Sequence, residues 1–240
     1  MRATPEAQAR LLEVQVEDSA KDRVEHRKRS LPEHAQINAG KVEWAQVNKD
    51  LVGSETLVGD TRIELEKAEA DLVPVRERIA RNQKRVDDGL VGAKELAPMI
   101  EEIAHLKQRI LNLEDIQLEV MERLETATAE LAALQKRRGE LQKSIRAVMA
   151  HRDEQLAELD AELAGHSQKR DGLAAGIPAD LLALYDRIRG RSGGVGAAKL
   201  EGKRCSGCQL EATAAAVTRY QSAPKDEVLR CEDCDRILVR

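Results

Sequence analysis

A long apolar stripe on one predicted helix constrains this chain more than any other feature. From Ile103 to Leu159, steps that alternate between three and four residues visit 17 positions; thirteen are apolar, and no proline interrupts them. Such a spacing, sustained over about eight heptads, keeps one helix face against a partner helix, as in a coiled coil. We therefore predict a helix from about Ala93 to the glycines at 172 and 176. Roughly 80 residues at 1.5 Å each would span about 120 Å.

The preceding arm, from about Pro5 to Asp87, is also predicted to be helical, although its pattern is less regular. Pro32 suits the first turn of a helix and predicts the start of a second helical segment. Pro74 lies inside a periodic stretch and predicts a kink. Between the two arms, the segment DDGLVG at 87–92 is a turn signal that contains two glycines.

The lengths of the arms favour one topology. Each arm has about 80 residues, so folding back at 87–92 buries both stripes within one chain. A parallel dimer would leave the two arms competing for partners. We therefore predict an antiparallel coiled-coil hairpin over residues 1–176.

The composition agrees with a mainly α-helical fold. Phe is absent, aromatic residues make up 1% of the chain, and charged residues make up 34%. This is typical of long helices packed along a narrow line of contact, and it argues against a β-sandwich, a barrel or a large α/β enzyme. The net charge of −4 gives no attraction of the whole surface to nucleic acid. The sequence shows no bilayer-spanning apolar run and no signal peptide, so we expect a cytoplasmic protein without a membrane partner.

A second domain is predicted over residues 177–240. It begins with a short helix near Pro178, followed by the glycine-rich segment SGGVGAAKLEG, which is predicted to let the last part of the chain move. Strand-like runs occupy 197–204, 226–230 and 236–239, and a helical turn is predicted around 212–220.

Four cysteines in this domain carry the clearest chemical signal. They form two C-x2-C pairs separated by positions 209–230: Cys205, Cys208, Cys231 and Cys234. Four thiolates suit one structural Zn²⁺ in a closed site, and a unit of this size buries too little apolar surface to fold without help. An iron–sulfur cluster, labile iron, redox dithiols or disulfides are the competing interpretations. A closed site without a nearby histidine leaves no open position for catalysis, so we predict a non-enzymatic protein without a small-molecule substrate.

Basic residues beside the first cysteine pair form a candidate nucleic-acid-binding surface. The candidates are Arg187, Arg189, Arg191, Lys199, Lys203, Arg204 and, further along, Arg219. They could contact phosphates, or they could be solvated, balance the thiolate charge or bridge to the hairpin. Tyr220 is the one residue here that could stack on a base, so we do not expect aromatic readout of several unstacked bases. A second basic run at 21–30 is interpreted as a charged helix face that lies opposite residues 150–155.

The chain resembles the bacterial coiled-coil proteins that carry a C-terminal C4-type zinc ribbon. The resemblance covers essentially the whole chain, and its most specific marks are KRCSGC at 203–208 and RCEDCDRIL at 230–238. Further marks are LPE at 31–33, RNQKRVDDG at 81–89, KEL at 94–96, LEDIQLEVMERLE at 113–125 and IPADLLALYDRI at 177–188. Asp235 replaces a frequent glycine and Val239 a common aromatic residue.

This resemblance implies a long antiparallel hairpin whose zinc ligands are the four cysteines. Members of the family are described as nucleic-acid-binding or regulatory adapter proteins. The expected function is therefore a zinc-ribbon adapter that binds RNA or DNA in a regulatory role. The alternative is a protein-interaction scaffold or chaperone-like rod without direct nucleic-acid contact, so both nucleic acid and protein are expected partner classes.

Overall fold

The computed structural model describes all residues from 1 to 240. Its elements are, in chain order, α1 (Pro5–Arg29), α2 (Pro32–Asp87), α3 (Ala93–Ala174), α4 (Ala179–Arg191), β1 (Ala197–Glu201), β2 (Arg204–Cys205), α5 (Ala214–Ser222), β3 (Leu229–Arg230) and β4 (Ile237–Val239). The protein is thus mainly α-helical, with a helical hairpin and a small C-terminal sheet, as the sequence predicted. None of the helices combines the length and the apolar character that crossing a membrane requires.

The break between α1 and α2 follows from Pro32. Proline has no backbone N–H, and it disfavours helical geometry in the preceding residue, here Leu31. Helix α1 therefore ends at Arg29, and α2 begins with Pro32 itself. At its other end α2 continues through Pro74, so this proline does not end the helix.

The turn of the hairpin is closed by Gly89. The N–H of Leu90 donates to the carbonyl of Arg85 at 3.0 Å, and the N–H of Gly89 donates to that of Val86 at 3.1 Å. These two bonds form a Schellman motif, which requires a left-handed residue at the helix end. Gly89 supplies it with a φ of 69°. The turn thus lies between Asp87, the end of α2, and Ala93, the start of α3.

The apolar stripe of α3 lies in the interior of the hairpin. Of its 17 positions, only Arg138 is exposed; the other 16 are buried or half-buried. Cross-helix ion pairs accompany it on the surface, among them Arg76 with Glu114 at 2.8 Å and Arg123 with Glu64 at 2.6 Å. Exposed pairs of this kind contribute only about 0–1 kcal/mol each, so the stripe carries most of the packing energy.

Two compact units make up the chain. One consists of Gln36–Val148, which contains the turn and a buried cluster of Val47, Leu51 and Leu141. The other consists of Met1–Ala35 and Met149–Arg240. In the second unit the sheet has the order β2-β1-β4-β3, with β1 parallel to β4 and the two outer pairings antiparallel.

The second unit joins the first residues of the chain to its last forty. The Ala3 N–H donates to the Asp226 carbonyl at 2.8 Å, and the Val228 N–H donates to the Met1 carbonyl at 3.2 Å. One buried cluster draws on three regions of this unit: Ala3, Ala7, Leu11 and Val14; Ile177, Leu181, Tyr185 and Ile188; and Ala197, Ile237 and Val239. One side of the sheet therefore packs against α1 and α4, while Ala198 and Leu238 belong to a second buried cluster that the sheet forms with α5.

The register predicted for the basic run at 21–30 is wrong. Arg27 pairs with Glu162 at 2.9 Å and Lys28 pairs with Asp160, whereas the 151–155 region faces Glu33. The midpoint between the two residue numbers of most cross-helix pairs lies a few residues beyond the middle of the turn. The numbers of two facing residues add up to twice this midpoint, so a shift of the midpoint by one residue moves the expected partner by two.

Candidate metal centre

Two matching turns present the four cysteines. In the first, the Gln209 N–H donates to the Cys205 carbonyl at 2.8 Å; in the second, the Asp235 N–H donates to the Cys231 carbonyl at 3.0 Å. Gln209 and Asp235 both adopt left-handed backbone conformations, with φ of 64° and 62°. Asp235 thus takes the conformation of the glycine that it replaces, which Asp tolerates because its short polar side chain can hydrogen-bond locally.

The sulfur atoms lie at the spacing that tetrahedral zinc requires. Cys205 Sγ is 3.9 Å from Cys234 Sγ, Cys208 Sγ is 3.8 Å from Cys231 Sγ, and all four lie within 4.8 Å of one another. A Zn–S bond of about 2.3 Å in tetrahedral geometry places sulfur atoms about 3.8 Å apart. A disulfide would need a separation of about 2 Å. The donor set and its geometry fit one structural Zn²⁺.

The thiol pKa values reflect the burial of the site. Burial raises the pKa of the Cys205 thiol and raises that of Cys231 to about 12. Burial acts in the same direction on Cys234, but hydrogen bonds from the backbone and side chain of Arg236, together with those from Cys231 and Cys208, outweigh it and lower the pKa. Zinc coordinates thiolates, so binding of the ion must displace protons from the buried sulfurs.

Gly207 and Arg236 support the first cysteine turn. A Cβ atom at Gly207 would lie 2.7 Å from Cδ of Arg236 and 3.0 Å from Cβ of Ala198. Arg236 in turn donates to the carbonyls of Ser192 at 2.8 Å and Val195 at 3.1 Å. The absence of a side chain at position 207 therefore lets the turn pack directly on the arginine that holds the preceding loop.

Tyr220 is not available for base stacking. Its side chain is buried in a cluster with Ala198, Ala216 and Leu238, and its hydroxyl donates to the Arg230 carbonyl at 3.2 Å. Burial raises its pKa. The sequence-based idea that this ring could serve as a stacking platform is therefore wrong, because α5 uses the ring to form the core behind the cysteines.

The glycine-rich segment after α4 is tied down by Gln15 of α1. The Gln15 side-chain oxygen accepts from the N–H of Gly196 at 2.6 Å, and its amide nitrogen donates to the Gly194 carbonyl at 2.9 Å. A Cβ atom at Gly196 would lie 2.7 Å from the ring of Tyr185, so this glycine permits a close approach. The predicted freedom of the last segment is thus replaced by a fixed contact.

A buried carboxylate completes this contact. Asp18, with a side chain only 4% exposed, accepts from the Tyr185 hydroxyl at 2.9 Å and lies 3.4 Å from Arg170 and 3.6 Å from Arg189. Burial first, and then the charge of Asp18, raise the pKa of Tyr185 well above its usual range. The sequence alone did not single out Gln15 or Asp18, since both look like ordinary polar positions on a charged helix.

The seven candidate cations fall into two groups. Arg189 pairs with Asp22 at 2.6 Å as well as with Asp18, and Arg219 pairs with Glu232 at 2.6 Å. The other five are exposed, and only Arg204 has an acidic neighbour, Glu211 at 4.0 Å. We call these five the basic surface: Arg187, Arg191, Lys199, Lys203 and Arg204.

Comparison with known proteins agrees with this architecture. Residues 14–193 match the family described as the CT398-like coiled coil hairpin domain. The chain belongs to this family. Residues 204–238 match the C4-type zinc ribbon domain, which contains all four cysteines. The combination of hairpin and ribbon supports a non-enzymatic adapter.

Two relatives of this protein match it over its full length. Rv2229c of Mycobacterium tuberculosis H37Rv, an uncharacterized protein, is 34% identical over 244 residues, covering 100% of this chain and 98% of the relative. A solved structure from Mycobacterium smegmatis is 32% identical, has a TM-score of 0.85 and covers 100% of both chains. CT398 from Chlamydia trachomatis covers 97% of this chain and 96% of its own, with a TM-score of 0.69; at 16% identity, this likeness concerns the fold alone.

Proposed function

We propose that this protein is a zinc-ribbon adapter that binds nucleic acid through the basic surface. The observation that carries the proposal is that five exposed cations, two on α4 and three on the strands and turn that lead into the first cysteine pair, are left without close acidic partners, apart from the 4.0 Å approach of Glu211 to Arg204. Arg189 and Arg219, by contrast, serve as structural ion pairs. Cations that are already neutralised contribute little to phosphate binding, so we assign the contact to the five.

The local structure supports two groups of phosphate contacts. Helix α4 buries Leu181, Tyr185 and Ile188, which leaves Arg187 and Arg191 one turn apart on its outer face. The turn between β1 and β2 carries Lys203, with Lys199 and Arg204 on the flanking strands. Glu201 is the exposed acidic residue within this second group, and it limits the local charge without removing it.

The proposed division of labour follows from this placement. Residues 1–176 act as the hairpin, and residues 177–240 act as the nucleic-acid-binding module that zinc holds in shape. We propose a cytoplasmic location, because a reducing compartment keeps the four sulfurs available to the metal. Bound zinc with four thiolates carries a net charge of about −2, so the five cations must also offset the charge of the site itself.

A titration at several salt concentrations tests the proposal. Fluorescence anisotropy with a labelled 20-nucleotide RNA and a 20-base-pair DNA gives the slope of log affinity against log salt. Each phosphate contact contributes about −0.9 to this slope for duplex DNA and about −0.7 for single strands. Four to five contacts therefore predict a slope near −4 with duplex.

Matched variants separate the basic surface from charge in general. Changing Lys199, Lys203 and Arg204 to Ala is expected to reduce the slope by about 2–3. Changing Lys107, Arg109 and Lys136 of α3 to Ala, three exposed cations without ion pairs, is expected to leave it unchanged. Absence of binding even at low salt, or equal loss in both variants, would refute the proposal and leave the protein-interaction scaffold as the better function.

A further inference from the structure

A second apolar stripe on α3 is exposed within the unit Gln36–Val148. Leu111, Leu118 and Met121 are 55%, 58% and 46% exposed, and they lie outside the buried stripe that faces α2. Single exposed apolar residues are ordinary on a protein surface, but a contiguous set of them marks a contact site. The stripe continues through the small residues Ala129 and Ala132.

Four of these residues, Leu118, Met121, Ala129 and Ala132, form one wall of a groove. The groove has a volume of about 640 Å³ and runs between α3 and Leu65 of α2. Its apolar lining is Leu65, Leu118, Met121, Leu124, Ala129 and Ala132, and Glu122 and Glu125 line it as well. From Leu118 to Ala132 it follows about four helical turns, or roughly 21 Å. The small residues at one end leave room for another backbone to approach closely.

The surroundings of this groove are strongly acidic. The facing segments 50–71 and 114–130 contain thirteen acidic residues and three basic ones, Arg62, Lys67 and Arg123. Their excess negative charge is larger than the net charge of −4 for the whole chain. Arg123 is already paired with Glu64, and neither Glu122 nor Glu125 has a cation within 4.0 Å. The groove is therefore an apolar strip between uncompensated carboxylates.

We propose that this groove binds a basic amphipathic helix of a protein partner. Apolar side chains of such a helix would enter between Leu65 and Met121, and flanking Lys or Arg residues would meet Glu122 and Glu125. A second copy centred on the same stripe would place the two acidic segments against each other. A shifted second copy would bring the groove against polar positions such as Gln135 and Gln142. Charge complementarity therefore selects a partner of different sequence, independently of the basic surface.

A designed peptide tests this inference on the full-length protein. The probe is a labelled amphipathic helix, matched in length to the roughly four helical turns of the groove, with Leu at helical spacing on one face and Lys on the other. Two controls have the same length: one carries Glu in place of Lys, and the other has the Leu and Lys order scrambled so that no apolar face forms. The amphipathic basic peptide is expected to bind and to gain helical circular dichroism, and the two controls are expected to bind at least about tenfold more weakly.

Variants locate the binding. Leu118→Gln together with Met121→Gln should lower the affinity at least about tenfold, whereas Leu57→Gln with Ile63→Gln, two exposed apolar residues outside the groove, should not. Glu122→Gln with Glu125→Gln should slow association and weaken its salt dependence. Glu140→Gln with Glu158→Gln, two exposed acidic residues of α3 outside the segments 50–71 and 114–130, is the charge-matched control.

Four results would overturn the inference. They are equal affinity for the scrambled basic peptide, equal affinity for the acidic peptide, the same loss in groove and control variants, and no binding at low salt. Sedimentation of the free protein provides a separate check. A dimer that the Met121→Gln change dissociates would assign the groove to a second copy instead.

Discussion

The carboxylate of Asp18 offers a sharp test of how the ribbon is held to α1. We predict that Asp18→Ala destabilises the docking of residues 177–240 far more than Asp22→Ala does, although both acids pair with Arg189. Asp18 is 4% exposed and accepts the Tyr185 hydroxyl, whereas Asp22 is 48% exposed. Both acids pair with Arg189, so the contrast compares a buried carboxylate that also contacts Tyr185 and Arg170 with an exposed one.

The expected magnitude follows from the partners that remain. Removing one member of a buried pair costs about 3–5 kcal/mol when the other charge is left uncompensated. In this site Arg170 keeps Asp186 at 2.8 Å and Arg189 keeps Asp22, so the cost falls toward about 2–3 kcal/mol, mostly from the lost hydrogen bond and the gap beside Tyr185. Loss of the exposed Asp22 pair should cost about 0.2–1 kcal/mol.

Hydrogen exchange of backbone amides in the sheet measures how much each variant weakens the docking of residues 177–240. Amides of β1 and β4 exchange through undocking, and a free-energy change of about 1.4 kcal/mol corresponds to a tenfold change in that equilibrium. Asp18→Ala should therefore accelerate their exchange about 30- to 150-fold, and Asp22→Ala no more than about fivefold. Tyr185→Phe, which removes only the hydroxyl, should fall between the two. Equal acceleration by the two Asp variants would show that burial of the carboxylate does not control docking.

Three further predictions concern the metal turns and the hairpin. Metal analysis should find about one zinc per chain. The Cys231→Ser variant should lose this zinc, and its ribbon should become disordered while the far-UV circular dichroism of the helices changes little. A metal-free wild-type protein with an ordered ribbon would contradict this prediction. Gly207→Ala should transfer zinc to a chelator faster, because its Cβ would lie 2.7 Å from Arg236; unchanged release would contradict the packing argument. In α2, Gly53→Ala should raise the stability of the hairpin in thermal unfolding by up to about 1 kcal/mol, because no other atom lies near the new Cβ. Gly40→Ala should give no such gain, because its Cβ would lie 2.8 Å from the side chain of Ile145.

The hairpin and the metal ligands could be predicted because their signals are local and periodic. The 3–4 spacing of α3 identified the buried face at 16 of 17 positions, and Pro32 and Gly89 marked the helix boundaries through backbone chemistry. The two C-x2-C pairs likewise carry their chemistry in their spacing.

The contacts of the ribbon could not be predicted in the same way. Gln15 and Asp18 act through partners more than 150 positions away, and no short-range pattern distinguishes them from solvated residues on α1. The burial of Tyr220 was missed for a related reason, because the sequence does not show that the ring of this lone aromatic is needed for the core of the small domain. The partners of the basic run at 21–30 were misplaced because the centre of the hairpin lies a few residues later than expected. Each residue of that offset shifts the expected partner on α3 by two positions.

The joining of residues 1–24 to the last forty has a consequence for synthesis of the protein. Leu11 and Val14 have no exposed surface in the finished fold, yet their covering residues in β1 and β4 are made about 180 to 230 positions later. At 5–20 residues per second, this interval lasts roughly 10–45 s. During that time the apolar face of the newly made α1 is uncovered outside the ribosome. We therefore expect the nascent chain to need a chaperone that covers this face until the cysteine-rich segment has been made.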